Sequence, residues 1–278
     1  MENKAVGKVM SEKRAHPDAI CLTLGKVWCL IKGITCIEIG VNQFLFTFHQ
    51  ESGRRKALEN GPWMFGKELV VVEEYVPSKR SEDYIFNDIP IWVRVFNLPL
   101  GMMNEDSVED IASIVGRFVE VDTGADGNAI GRFLRIKVRM RIDKPIMRGF
   151  TLKDEDKPKG VGGGGEGSVM AAVEGEGEDG AWCRFEYEYL PNFCYTCGVI
   201  GHREKECKIK LSKGEKQQFG QWLKADIGQR RGSMEEGAWR SGSRGSGLSQ
   251  SFGFSRQGGR SGNGSDILSW RKSGSRSS

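Results

Sequence analysis

The sequence predicts an α+β chain that ends in a small metal-pinned module and a tail without a core. Three observations carry this. Residues 1–150 are rich in Val, Ile, Leu, Phe and Trp, and their spacing switches between the helical and the strand period. Residues 194–207 set three cysteines and one histidine at C-x2-C-x4-H-x4-C. Beyond residue 211, Gly, Ser and Arg dominate, and too little apolar mass remains to fold. The hydrophobic content of 38% averages these unlike parts.

Helical spacing runs through residues 5–32. Val6, Val9 and Met10 share one face, and Ile20, Leu24, Val27, Trp28 and Ile31 follow at steps of three and four. Pro17 separates the two pieces and suits the first turn of the second. Residues 1–17 are therefore read as an N-terminal segment and residues 18–150 as the domain. Residues 35–41 and 44–48 read as strands joined at Asn42-Gln43, a hairpin. Residues 51–59 form a short helix closed by Asn60-Gly61-Pro62. Trp63-Met64-Phe65 leads into a third strand over residues 68–75. Helix, strand, strand, helix, strand is most of a ferredoxin-like split unit, the layout also used by RNA-recognition folds.

A second half follows. Residues 89–96 form a strand that Asn97-Leu98-Pro99 ends. Residues 104–115 form a helix, with Asn104 as its cap and Glu105 and Asp106 favouring its N-terminus. Residues 117–122 and 133–142 are strands. The last alternates Arg135, Lys137, Arg139 and Arg141 with Leu134, Ile136, Val138, Met140 and Ile142. One face is buried; the other is a cationic row offered to solvent or to phosphates. Residues 151–181 are Gly-rich and acidic and read as a flexible linker. No Gly-Lys-Ser or Gly-Lys-Thr follows those glycines, so they are not a phosphate-binding loop. Residues 182–190 alternate aromatic and acidic side chains, one more strand that opens a strand-plus-knuckle module over 182–210. Residues 211–278 are a disordered basic tail.

Cys194, Cys197, His202 and Cys207 supply three thiolates and one imidazole. That set completes a closed, four-coordinate tetrahedral site for one Zn2+ ion, with no open position for catalysis. Gly198 and Gly201 stand where the chain turns sharply between ligands. So short a module has no core of its own, and metal binding supplies its folding free energy, on the order of 10 kcal/mol. Cys21, Cys29, Cys36 and Cys183 show no disulfide framework, which suits a reducing compartment. No apolar leader and no run of ~18 apolar residues is present, so a nuclear or cytoplasmic location without a membrane span is expected. The net charge of +4 hides an asymmetry: residues 208–278 hold 14 Lys or Arg against 5 Asp or Glu. A basic tail beside such a module points to a polyanionic partner.

The ligand spacing resembles the CCHC zinc knuckle of retroviral nucleocapsid proteins. That resemblance implies that Tyr195 and Ile200 form an apolar platform for an unstacked base. Arg203, Lys205, Lys208 and Lys210 lie close by for phosphates, and Glu204 and Glu206 weaken their field. Further words recur in order in a plant domain of unknown function: Asn60-Gly61-Pro62-Trp63-Met64-Phe65, Ile91-Trp92-Val93-Arg94-Val95, Asn97-Leu98-Pro99-Leu100-Gly101, Arg135-Ile136-Lys137-Val138 and Asp143-Lys144-Pro145. Tyr187-Glu188-Tyr189-Leu190-Pro191-Asn192-Phe193-Cys194 then leads into the knuckle. Over residues 5–210 the chain resembles that family, whose members look like remnants of the first, nucleic-acid-binding open reading frame of non-LTR retroelements. The resemblance implies zinc and nucleic-acid binding and no catalysis.

The resulting expectation is zinc-dependent binding of single-stranded RNA or DNA with low sequence specificity, by a protein that is not an enzyme and takes no small-molecule substrate. Tyr195 and Ile200 stack a base, and the knuckle cations and the row at Arg135, Lys137, Arg139 and Arg141 neutralise phosphates. A first rival is an interaction scaffold that self-associates through the N-terminal domain. A second rests on Val121-Asp122-Thr123-Gly124-Ala125-Asp126, which resembles the active-site word of retroviral aspartic proteases. Those enzymes share one proton between an Asp from each subunit. Here the word precedes the knuckle, a helical pattern stands upstream where a protease needs strands, and Asp122, Gly124 and Gly127 are ordinary turn formers. No Gly-x-Ser-x-Gly elbow or His-Glu-x-x-His helix occurs. His16 and His49 are isolated.

Overall fold

A computed structural model describes residues 3–124, 129–152, 180–212 and 214–227. The expected linker at 151–181 falls almost wholly outside the described residues, as do Asp126 and Gly127 and the tail from 228 onward.

Two five-stranded antiparallel sheets organise the chain. The first holds β1 (Lys4–Val9), β2 (Ile34–Gly40), β3 (Gln43–Phe48), β4 (Trp63–Phe65) and β5 (Glu68–Glu74), in the order β2-β3-β1-β5-β4. Helices α1 (Pro17–Trp28) and α2 (Glu51–Glu59) cover one face. Alternate strand residues meet them there: Ala5, Val9, Phe44, Phe46, Phe48, Val70 and Val72 are buried with Ile20, Leu24, Trp28, Ala57 and Leu58. Trp28 stands edge-on to Phe46 with centroids 5.1 Å apart. β3 lies between β1 and β2, which is the split βαβ arrangement expected. At the β2–β3 turn, Asn42 adopts a left-handed φ of 54°. Its side chain donates to the carbonyls of Ser11 and Lys13 and accepts from the Ala15 N–H, fastening the chain ahead of α1.

The second sheet holds β6 (Asp88–Phe96), β7 (Arg117–Val121), β8 (Leu134–Arg141), β9 (Gly149–Leu152) and β10 (Ala181–Tyr187), in the order β7-β8-β6-β10-β9. α3 (Glu105–Val115) follows β6, and its cap is as expected: the Asn104 side chain accepts from the Ser107 N–H at 3.0 Å. Ile89, Ile91, Val93 and Val95 of β6 face Val108, Ile111 and Ala112 within one core. Numbered within each half, the two strand orders are the same. Each half runs strand, helix, strand, strand, and then two adjacent antiparallel strands, the last of which pairs with the first.

Among the described residues the halves differ in their helices. Between β3 and β4 the first half has α2; between β8 and β9 the second half has no helix. There Ile142 and Ile146 lie in the core with Leu190, Phe193, Ile200 and Leu223, against Phe150, Phe185 and Tyr187. The metal-pinned module and the chain after it thus cover the sheet where a second helix would.

Two readings from the sequence are corrected. Residues 4–9 are strand, not helix. Val6 and Val9, three apart, match the helical period; in the strand they lie on opposite faces and are buried in different cores, and pairing on both sides, with β3 and with β5, gives the segment's backbone its hydrogen bonds. The expected N-terminal segment therefore supplies the middle strand of the first sheet. Residues 214–227 were assigned to the tail, yet Leu223 is buried and Tyr187 forms a parallel bridge with Lys224. Among the described residues no helix is long and apolar enough to cross a membrane.

Candidate metal centre and nucleic-acid interface

The module begins where β10 ends. Phe193 and Ile200 pair across an antiparallel bridge, the Cys194 N–H donates to the Val199 carbonyl at 2.9 Å, and the Gly198 N–H donates to the Cys194 carbonyl at 2.8 Å. This tight turn requires left-handed backbone at Gly198 (φ 76°) and Gly201 (φ 98°). At Gly198 space is also short: a Cβ would lie 2.5 Å from the ring of Phe219. A short 3-10 turn at Glu204–Glu206 then delivers Cys207.

The four expected ligands come together. One donor atom from each of Cys194, Cys197, His202 and Cys207 lies within 4.8 Å of all the others, and Cys197 Sγ is 3.3 Å from His202 Nε2. A tetrahedral ion with bonds of ~2.0–2.3 Å sets its ligands roughly 3.5 Å apart, so the cluster fits such an ion. The donor set, three sulfurs and one imidazole nitrogen with all three cysteines buried, is soft and suits zinc rather than calcium or magnesium. The thiols already differ. Burial opposes ionisation of Cys194, but the N–H groups of Cys197 and Thr196 outweigh it and bring that thiol below its ordinary value. Cys197 is pushed up to about 11, by burial first and then by its neighbouring thiols. A bound cation removes that mutual penalty, so loading the site releases protons.

The platform expected for a base is only half available. Ile200 is 7% exposed and belongs to the core of the second half. Tyr195 is partly exposed, packs at 5.1 Å from Phe193 and donates its hydroxyl to Gln221 Oε1 at 2.9 Å. Arg203, Lys205, Lys208 and Lys210 are all exposed. They are the expected phosphate partners that the fold leaves on the surface.

The cationic row on β8 differs from expectation. Arg135 donates to both carboxylate oxygens of Glu188, at 3.0 and 2.8 Å, and to Asp122 at 3.2 Å, while lying over the Trp92 ring at 3.7 Å. Lys137 is buried and paired with Glu120 at 3.3 Å. Arg139 reaches Glu73 of the first sheet at 2.8 Å, and Arg141 is paired with Asp143. The row does alternate with a buried apolar face, but its charges are paired with carboxylates, and the cationic heads of Arg135 and Lys137 also lie over the Trp92 ring. The physical reason is cross-strand neighbours: Glu120 of β7 sits opposite Lys137, and β6 brings Trp92 beside it.

Glu188 is the residue that sequence reasoning missed. It is buried, accepts from Arg94 Nε at 2.6 Å as well as from Arg135, and so ties β6, β8 and the end of β10 together. Arg94 goes on to donate to the Asp226 carbonyl at 2.8 Å, which holds the returning chain. The signal was the alternation of acidic and aromatic side chains over residues 182–190, which offers carboxylates to the basic strand residues Arg94 and Arg135. Asp122 pairs with Arg135 at 3.2 Å.

Residues 6–82 match the model of a domain of unknown function (DUF4283), and residues 170–209 match that of a zinc knuckle. The chain thus carries that domain and a zinc knuckle, in the order the resemblance implied. The chain is also similar to a solved structure of the RNA binding domain of Hrp1 in complex with RNA. Identity is 12% over 49% of this chain and 80% of that one, with a TM-score of 0.24. A second likeness is to a Sxl-lethal protein/RNA complex, at 15% identity over 51% and 83% with a TM-score of 0.22. Scores this low carry no weight for function. A search of curated proteins returns no match.

Proposed function

We propose that the protein binds single-stranded nucleic acid, RNA or DNA, through a zinc-loaded knuckle and with low sequence specificity. The observation that carries this is the convergence of Cys194, Cys197, His202 and Cys207 within 4.8 Å beside four exposed cations, Arg203, Lys205, Lys208 and Lys210. The metal holds the loop, Tyr195 offers a ring to an unstacked base, and the cations neutralise phosphates. Positive charge and one stacking ring read no particular sequence, which supports low specificity. The basic residues beyond 227 add to the same field. The role is binding rather than catalysis, since a closed four-ligand site leaves no position for substrate. The run of words from Asn60 to Cys194 supports descent from a plant retroelement, with action in the nucleus or cytoplasm. Retention of labelled single-stranded RNA on filters tests the reading. Zinc-loaded protein should retain it, and retention that survives removal of the metal would contradict the proposal.

Self-association is the second reading, and one observation favours it. Leu22, Leu30, Ile31 and Ile37, on and after α1 and on β2, are 57–85% exposed. Large apolar side chains left in water on and beside the edge strand β2 suit a second copy. A size measurement on the full chain without nucleic acid separates monomer from oligomer.

A further inference from the structure

Trp222 has no part in the metal site or the core. It lies in the 3-10 turn Gln221–Leu223, on the chain that returns from the knuckle to the second sheet. Its neighbour Leu223 is 1% exposed, whereas Trp222 is 60% exposed. An exposed indole is ordinarily free to swing. This one is seated, because a Cβ on Gly220 would fall 2.0 Å from its ring. The indole therefore rests against the Gly220 backbone and turns its remaining surface outward.

The turn is fastened on both sides. Gln221 accepts the Tyr195 hydroxyl, and the Ala225 N–H donates to the Tyr187 carbonyl at 2.9 Å. Two residues past Trp222, Lys224 places its ammonium 5.9 Å from the centre of the Phe193 ring, the ring on which Tyr195 packs. A seated indole, a tyrosine tied to the same turn and a lysine are thus gathered where the chain leaves the knuckle.

We infer that Trp222 is the stacking platform for an unpaired base of single-stranded nucleic acid, with Tyr195 and Lys224 flanking it. This rests on the nucleic-acid reading above and sharpens it: Trp222 takes the part that the ligand spacing assigned to Ile200, which the core has claimed. Stacking needs an open π face and suits any base. A ring already held in place loses little freedom on binding. Lys224, two residues further along the same segment, brings positive charge for the phosphates of a stacked strand.

Fluorescence anisotropy of labelled oligouridine and oligothymidine, titrated with zinc-loaded full-length protein, tests this. Trp222→Ala should weaken binding of either strand by about 5- to 100-fold, the loss of one stacked base, and Trp222→Phe should restore most of it. Thermal unfolding of Trp222→Ala should match the unsubstituted protein, since the side chain is mostly exposed. Quenching of tryptophan emission on binding should shrink in Trp222→Phe. If Trp222→Ala binds both strands as tightly as the unsubstituted protein, the platform is overturned while the nucleic-acid reading stands. If the unsubstituted protein binds neither strand, that reading fails and the platform with it.

Discussion

Glu188 concentrates much of the second half's electrostatics on one carboxylate. Burial alone would raise its pKa, but hydrogen bonds from Arg135 and Arg94 outweigh burial and hold it below the ordinary 4.5. A carboxyl depressed in the folded state stabilises at pH above its unfolded value, and the contribution is lost as pH falls through the folded one. Glu188→Ala leaves Arg94 buried without its ion-pair partner and should cost about 3–5 kcal/mol near neutral pH by urea unfolding. That gap should begin to narrow below about pH 4.5 and close as pH falls through the depressed folded value, where the unsubstituted protein also loses the pair. A gap that stayed constant with pH would place the loss in packing rather than charge. At this scale the sequence was legible where chemistry is local. Four ligand residues at fixed spacing found one another, and Asn104 capped its helix. It was not legible where a side chain's fate depends on strands distant in the chain. Lys137 and Ile200 read as surface residues, and only the pairing of β8 with β7 and β6, and the docking of the knuckle, show why both are buried.

At the level of elements, the knuckle does the work that α2 does in the first half. Leu190, Phe193 and Ile200 share a core with Phe185 and Tyr187 of β10, so metal loss should reach beyond the loop. Hydrogen exchange with and without a chelator should show β10 and the facing part of β6 losing protection along with residues 190–210. Loss confined to residues 190–210 would contradict the docking. Gly198→Ala adds a left-handed strain of about 1–2 kcal/mol to a contact 2.5 Å from Phe219. Competition with a chromophoric chelator should show zinc affinity reduced by at least about 10-fold, in the range for disturbed support of a ligand. β1 was misread because Val6 and Val9 stand at helical spacing, whereas the middle strand of this sheet buries side chains on both faces, Val6 in one core and Val9 in the other. The segment 214–227 was misread because its composition is that of a tail, while single residues, Leu223 and Phe219, do the packing.

The described residues hold two halves with one strand order; the sequence shows strand, helix, strand, strand in the second half, whereas the first reads differently because β1 carries helical spacing. What could not be read is where the molecule's charge goes. The β8 arginines and lysine face carboxylates, whereas the knuckle's Arg203, Lys205, Lys208 and Lys210 are exposed, and the proposed function gives these four the phosphates. Binding should therefore weaken steeply with salt. If these four each neutralise a phosphate, a protein ending at residue 227 should show a log–log slope of roughly −3 on a single strand. Arg135→Ala should lower stability without changing that slope. The most direct measurement of the central claim is retention of labelled single-stranded RNA by the full-length protein, with zinc and then with a chelator. The account predicts retention with zinc and its loss on chelation, recovered when zinc is restored. Equal retention with and without the metal, or none with it, would contradict it.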